Sequence, residues 1–327
     1  MTTSFTNSAS ASSMLSKVSN SLKLLGKGQD YIYKCKVTGI SGVFDFILLF
    51  DGHGDNSCIN AIRELNLEEI ANEENPCKTL FEIINANPKV NLHSGSTMCY
   101  AKIFETYVET DFMGDSSIFV FCDGILKYSN MSQHHNINNE DEAARLYGKG
   151  RSINSTSYRI DGDNIFTIKS NYFKWQIKNG ETVQLAPTQC LGHHGITGIK
   201  SCKRIVEIKP GENVKVMMMS DGVTDMLNKS EIEELWKLSS DEINERAEAR
   251  WKKEWLFEYE GDIITTSFPY DGYDDCSVII YESSKSDEKE IKEETILIGE
   301  SILDGYYEMS CIEKNCSYLT LPKECFA

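Results

Sequence analysis

Residues 43–55 read VFDFILLFDGHGD. The first eight are apolar except for Asp45, and the run stops abruptly at Asp51-Gly52-His53-Gly54. A short apolar run closed by Asp-Gly is the pattern of a β-strand ending in a turn. The same junction recurs: VKVMMMS (214–220) runs into Asp221-Gly222-Val223-Thr224-Asp225, and Asp274-Asp275-Cys276 leads directly into SVIIY (277–281). If the first two strands run antiparallel to the third, all three acidic junctions fall on one sheet edge. Carboxylates at close range repel one another unless they are protonated or bridged by cations. One Asp-Gly is ordinary turn chemistry, whereas three acidic junctions on apolar strands are what a divalent-cation site needs. Oxygen ligands favour Mg²⁺ or Mn²⁺ over zinc. Gly52 lets the chain turn sharply and offer its carbonyl oxygen as a further hard ligand, and His53 beside it is positioned to donate a proton.

Working outward, YIYKCKV (31–37), TMCYAKIFE (97–105) and SIFVFC (117–122) are further strands. Helices are expected over about 57–72, near 76–86, and through about 229–257, where Trp251 and Trp255 at a spacing of four read as packing residues. Strands come in clusters and helices in blocks, so the fold class is α+β, layered. Residues 1–22 are rich in Ser, Thr and Asn and carry no charge before Lys17, which predicts a flexible tail. The main domain is expected over 23–283. Residues 284–327 read as a charged linker, SSKSDEKEIKEE, and an extension that regains apolar residues. The polar stretch 136–164 reads as a loop-rich flap.

The 327 residues are 40% hydrophobic, enough for a sizeable core, and carry 50 Asp and Glu against 33 Lys and Arg, a net charge of −17. That charge argues against nucleic acid and anionic membranes as partners. No stretch is long and apolar enough to span a bilayer, and the start lacks the basic and apolar segments of a secretory signal. The expected location is therefore cytoplasmic and the expected state a monomer. Eleven cysteines without a C-x-x-C, and six histidines without an H-x-x-x-H, give no zinc motif, and the thiols are expected to be free.

FDGHGD (50–55) resembles the DGHGG box of the metal-dependent serine/threonine phosphatases of the protein phosphatase 2C family, of which the chain looks like a diverged member. The likeness continues in order. Gly28-Gln29-Asp30 is similar to the family's early acidic box, Ser94-Gly95-Ser96-Thr97 to SGSTA, and Met113-Gly114-Asp115-Ser116 to VGDS. Met131–His135 with Glu142 and Arg145 resembles L-x-x-DH…EE-x-x-RI, Leu191-Gly192 falls within RALGD, Ser220–Asp225 is close to SDGLWD, and Asp274–Ile279 to DN-x-SVI. The resemblance implies a four-layer α-β-β-α sandwich of two mainly antiparallel sheets flanked by helices. It implies hydrolysis of phosphoserine and phosphothreonine in proteins by water activated between two Mg²⁺ or Mn²⁺ ions, with a weaker third ion possible. Asp51 would bridge both ions, the Gly52 carbonyl, Asp30, Asp221 and Asp274 would complete their shells, and Asp115 would serve the third. Asp225 would orient water or a ligand behind them, and His53 would be the general acid.

The sequence departs from this pattern in places. Leu25 stands where the family carries a phosphate-holding Arg, leaving Lys23 or Lys27 as candidates, and a Lys offers a point charge rather than a bidentate fork. Gln189 and His193 stand where RALGD has Arg and Asp. The ligand set is intact, so an active enzyme is expected. The alternative left open is a weak or inactive pseudophosphatase acting as a binding or regulatory module.

Overall fold

The computed structural model describes residues 14–285 apart from 27, 40–41, 162–163, 178–179, 260–261 and 268–272. Met14–Lys23 (β1), Tyr31–Gly39 (β2) and Gly42–Gly54 (β3) open the chain, followed by helices Ser57–Arg63 (α1), Leu67–Asn72 (α2) and Pro76–Ala86 (α3). Four strands come next: Ser94–Ile103 (β4), Tyr107–Met113 (β5), Ser117–Cys122 (β6) and Ile125–Ser129 (β7). Helix Glu140–Leu146 (α4) precedes Gly150–Asp161 (β8), Asn164–Gln176 (β9), Thr182–Leu185 (β10), Leu191–Gly192 (β11), Arg204–Glu207 (β12) and Val214–Met219 (β13). Helices Asp221–Thr224 (α5), Lys229–Ile232 (α6) and Ser240–Trp251 (α7), then Glu254–Tyr259 (β14), Asp262–Ser267 (β15) and Cys276–Lys285 (β16), complete the fold.

One antiparallel sheet has the order β1-β16-β13-β6-β7. A second runs β12-β5-β4-β3-β2, with β11 also paired to β4. Strand β3 explains how they stack. Ile47 and Leu49 pack with Ile118, Val120, Val216, Met218 and Ile279 of the first sheet, while Phe46, Leu48 and Phe50 pack against Ile59, Ile62, Leu80 and Ile84 of α1 and α3. Alternate side chains of a strand point to opposite faces, and here both faces are covered from Phe46 to Phe50, so that stretch is apolar throughout. On the outer face of the first sheet, Phe119, Met217, Met219 and Ile280 meet Ile243, Ala247 and Trp251 of α7. The result is the expected α-β-β-α layering.

Local signals fix the helix ends. Asn75 Oδ1 accepts from Lys78 N at 2.9 Å with Pro76 in the first turn of α3, and Ser239 and Glu242 form a capping box at α7. The helix expected over 57–72 is broken between Arg63 and Leu67 into α1 and α2.

Four expectations are corrected. The flexible tail assigned to 1–22 contributes β1 from Met14 onward, which pairs along its whole length with β16, Met14↔Lys285 to Lys23↔Cys276. An edge strand is half solvated, so a polar composition does not exclude it; residues 1–13 lie outside the described ones. The boundary at 283 falls inside β16, which runs to Lys285, and the linker and extension beyond lie outside the described residues. The loop expected over 136–164 holds α4 and β8. The latter pairs with β9 in a third sheet of order β10-β9-β8-β14-β15. The helix expected through 257 ends at Trp251, and Trp255 lies in β14. Both tryptophans are buried packing residues, with ring centroids 5.7 Å apart, as expected. Among the described residues no helix is long and apolar enough to cross a membrane, and eight cysteines are free thiols.

Candidate active site

The three acidic junctions meet at one end of the two stacked sheets. Strand β13 runs antiparallel to β16, with Met219 opposite Val278 and Ser220 N donating to Ser277 O at 3.1 Å, so Asp221 emerges beside Asp274 and Asp275. Strand β3 brings Asp51, opposite Thr97 of β4, from the other sheet. The loop after β1 is tied back by Asp275, whose carboxylate accepts Gly26 N at 2.8 Å and Gln29 N at 2.7 Å, and this sets Asp30 in place. Gly52 is required for the approach: a Cβ there would lie 2.6 Å from Gln29 O and 2.6 Å from Ile59 Cγ1.

Electrostatics record the crowding. Asp30 is 2% exposed, and its carboxyl is pushed up to about 7 by burial and by the charges of Asp275 and Asp221. This persists although Ser277 Oγ donates to its Oδ2 at 2.6 Å, which favours the ionised form. Asp51 is raised well above the usual carboxylate range by burial, then by Asp221, Asp30 and Asp274, with the Asp221 carboxyl as a hydrogen-bond neighbour. Asp115, after β5, is raised by burial and by Asp221 and Asp225. Asp274 is raised well above the ordinary range and Asp225 to about 7, by desolvation and by the charge of Asp221. Both residues still meet water, and the neighbouring charges crowd them there. Asp221 appears in the repulsion on each of the others.

The six aspartates Asp30, Asp51, Asp115, Asp221, Asp225 and Asp274 thus form one interacting set. Asp221 Oδ1 and Asp115 Oδ1 are buried with no hydrogen-bond partner. Buried oxygens of this kind, crowded by other carboxylates, fit divalent cations with oxygen ligands.

The sites proposed for phosphate behave differently. Leu25 is buried against Val223, Met226 and Trp251 of the outer apolar cluster. Lys23 Nζ is 3.2 Å from Glu248 Oε2, a half-exposed pair, and Lys27 lies outside the described residues. A guanidinium that does approach this stretch, unmarked in the sequence reading, is that of Arg63: it sits 5.4 Å from the centroid of the Tyr31 ring, with Nη2 3.5 Å from Asp30 O.

The Glu142–Arg145 pair is an internal brace. Arg145 Nη2 reaches Glu142 Oε2 at 2.7 Å and Thr188 O at 2.8 Å, and Gln189 Nε2 donates to Glu142 Oε1 at 2.7 Å. Burial alone would raise the Glu142 carboxyl, but Arg145 and Thr188 outweigh it and hold it below the usual range. The brace fixes the segment 187–200, which carries a buried histidine, His193, to His53: Nε2 to Nε2 is 2.8 Å. His134 and His135 lie apart from this pair, His134 near Ser117 Oγ and His135 Nδ1 accepting Gly114 N at 3.2 Å. Burial holds both down to about 4. The sequence reading gave no role to Asp275, Arg63 or His193; Asp275 was visible as half of an Asp-Asp pair and His193 as a departure from RALGD, whereas Arg63 carried no local signal.

The protein phosphatase 2C family model matches residues 56–253. That span includes Asp115, Asp221 and Asp225 but not Asp30, Asp51 to His53, or Asp274. No curated protein matches the sequence. Similar solved structures include the catalytic domain of the serine/threonine protein phosphatase PstP in complex with two manganese ions, 12% identical over 83% of this chain and 100% of that one, with a TM-score of 0.46. Serine-threonine phosphatase 2C from Toxoplasma gondii is 13% identical over 82% and 94% of the two chains (TM-score 0.49), and Stp1 from Staphylococcus aureus is 14% identical over 82% and 94% (TM-score 0.46). With a family match across more than half its length, the chain belongs to the protein phosphatase 2C family of serine/threonine phosphatases.

Proposed function

We propose that the protein hydrolyses phosphoserine and phosphothreonine in phosphorylated proteins, acting as a cytoplasmic monomer, with divalent cations held by the acidic edge. The observation that carries this reading is the crowding of five aspartates by the charge of Asp221, with one oxygen each of Asp115 and Asp221 buried and unpartnered. Asp51, the Gly52 carbonyl, Asp30, Asp221 and Asp274 would hold two Mg²⁺ or Mn²⁺ ions, and Asp115 would hold a weaker third. When bound, such ions supply the positive charge that keeps these carboxylates ionised side by side, offsets a phosphate dianion and acidifies a water. Asp225, which feels the charge of Asp221, would orient water.

The leaving serine or threonine oxygen needs a proton. His193 Nδ1 is 2.7 Å from Leu92 O and so carries a hydrogen, which leaves its Nε2 as a bare lone pair. The 2.8 Å contact then requires the hydrogen on His53 Nε2, and this is the proton we assign to the leaving oxygen. The buried Leu25 favours a second reading, a module that binds cations and partners but turns over poorly, because no guanidinium can project from that position.

The test is hydrolysis of a phosphopeptide and of para-nitrophenyl phosphate with Mn²⁺, Mg²⁺ or EDTA, alongside Asp221→Asn. Hydrolysis is expected to require the cation and to fall by two orders of magnitude or more in the variant. Activity indifferent to EDTA would refute the metal chemistry; cation binding without hydrolysis would establish the second reading.

A further inference from the structure

The described residues contain one group of three metal-ligating side chains whose donor atoms all lie within 4.8 Å of one another: His53, Cys190 and His193. The carboxylates do not converge this tightly. Adjacent strands assemble the group. His53 of β3 lies opposite Gly95 of β4, and Gly95 is also opposite Gly192 of β11, whose two residues separate Cys190 from His193. A Cβ on Gly95 would run into His193 Nε2 and lie 2.6 Å from His53 Nε2, so the two ring nitrogens occupy the space that a side chain would fill. The rings are stacked at 5.0 Å with 15° between planes.

The geometry of this group suits a metal. His193 gives its Nδ1 hydrogen to Leu92 O at 2.7 Å, the outer bond that a ligating histidine commonly makes, and so presents Nε2 as a lone pair. Its backbone is also strained. Gly192, His193, His194 and Gly195 have φ of 82°, 53°, 51° and 72°, and two successive non-glycine residues in the left-handed region persist only when the surrounding structure enforces them. Cys190 is fully buried, with its Sγ within 4.8 Å of a nitrogen of each ring.

We propose that His53, Cys190 and His193 form a site for a borderline-soft divalent cation, zinc foremost, distinct in ligand chemistry from the oxygen-only acidic edge. Two imidazole nitrogens and a thiolate match zinc and leave a fourth position open, whereas Mg²⁺ and Mn²⁺ prefer oxygen. Binding releases one proton, from the Cys190 thiol, to solvent; His53 keeps a single hydrogen, moved from Nε2 to Nδ1. An occupied site removes the proton that His53 would give to a leaving oxygen, so zinc inhibits. This consequence rests on the phosphatase reading, while the site itself does not.

The experiment uses the full chain, stripped of metal, in excess Mg²⁺ to fill the oxygen sites, titrated with Co²⁺ as a spectroscopic substitute for zinc. One equivalent is expected to give a thiolate-to-cobalt charge-transfer band, which Zn²⁺ abolishes. The band is expected to be lost in Cys190→Ser and kept in Cys202→Ser. No band in the unmutated protein, or one that survives Cys190→Ser, overturns the proposal and leaves a hydrogen-bonded imidazole pair only. Should Cys190→Ser fail to fold, zinc-edge X-ray absorption of the unmutated protein decides the matter: sulfur at about 2.3 Å with nitrogen at about 2.0 Å supports the site, and an oxygen-only shell overturns it. Phosphopeptide hydrolysis should fall with added Zn²⁺ in the unmutated protein and less in Cys190→Ser. If no preparation hydrolyses phosphopeptide, the phosphatase reading fails while the cobalt spectrum still decides the site.

Discussion

Replacing Asp30 by Asn tests the electrostatic account of the acidic edge without relying on activity. Asp30 is buried, and its carboxyl is raised from 3.8 to about 7, by burial first and by Asp275 and Asp221 after it. The folded state therefore holds this proton more tightly than the unfolded chain does. The resulting stabilisation is present in full below pH about 4 and is lost as pH rises through about 7. The rise from 3.8 to about 7, at about 1.4 kcal/mol per pH unit, gives an upper figure of about 4 kcal/mol, and because Asp51 can adjust its own protonation we expect about 2–4. Asn keeps an acceptor for Ser277 Oγ but cannot ionise. In EDTA, urea unfolding of the variant and the unmutated protein should give similar stabilities at pH 4. At pH 8 the variant should be the more stable by that amount, a midpoint shift of about 1 M. Saturating Mg²⁺ should reverse the order, since a ligand at a hundred times its Kd adds about 2.7 kcal/mol only where its donors are intact. Parallel pH profiles for the two proteins in EDTA would refute the reasoning.

Two more expectations follow from single contacts. His53→Gln should slow phosphopeptide hydrolysis about a hundredfold while changing para-nitrophenyl phosphate hydrolysis much less, because that leaving group needs no proton; equal losses in kcat would remove His53 from proton transfer. Trp255 is fully buried and its Nε1 donates to Trp251 O at 3.3 Å, so Trp255→Ala should lower stability by about 3–5 kcal/mol in denaturant unfolding, with a loss under 1 kcal/mol contradicting the packing described for it.

The layers and the acidic edge were legible because strands buried on both faces must be apolar throughout, so the points where VFDFILLF and VKVMMM stop are sharp. The Asp274-Asp275 pair was legible as a location but not as two roles. Alternation sends neighbouring side chains to opposite sides, and only the structure reveals that Asp275 turns back to Gly26 and Gln29 while Asp274 joins the edge. Strand β1 was hidden because an edge strand takes its hydrogen bonds from β16 and needs few apolar residues. Strand β8, GRSINSTSYRID, was hidden by the same polarity. Strand β14 was mistaken for helix because Trp251 and Trp255 at a spacing of four imitate a helical face, although the chain turns at Lys252 and Lys253. The contact of His53 with His193 joins positions 140 residues apart and leaves no local trace.

The pairing of β1 with β16 also bears on how the protein can be handled and built upon. Ten residues of each strand run side by side, from Lys23 and Cys276 near the aspartates to Met14 and Lys285 about 30 Å away. A small fluorophore attached at the outer end of these two paired strands therefore starts about 30 Å along the sheet from the aspartates, where it can report on the pairing of β1 with β16 without touching the acidic edge.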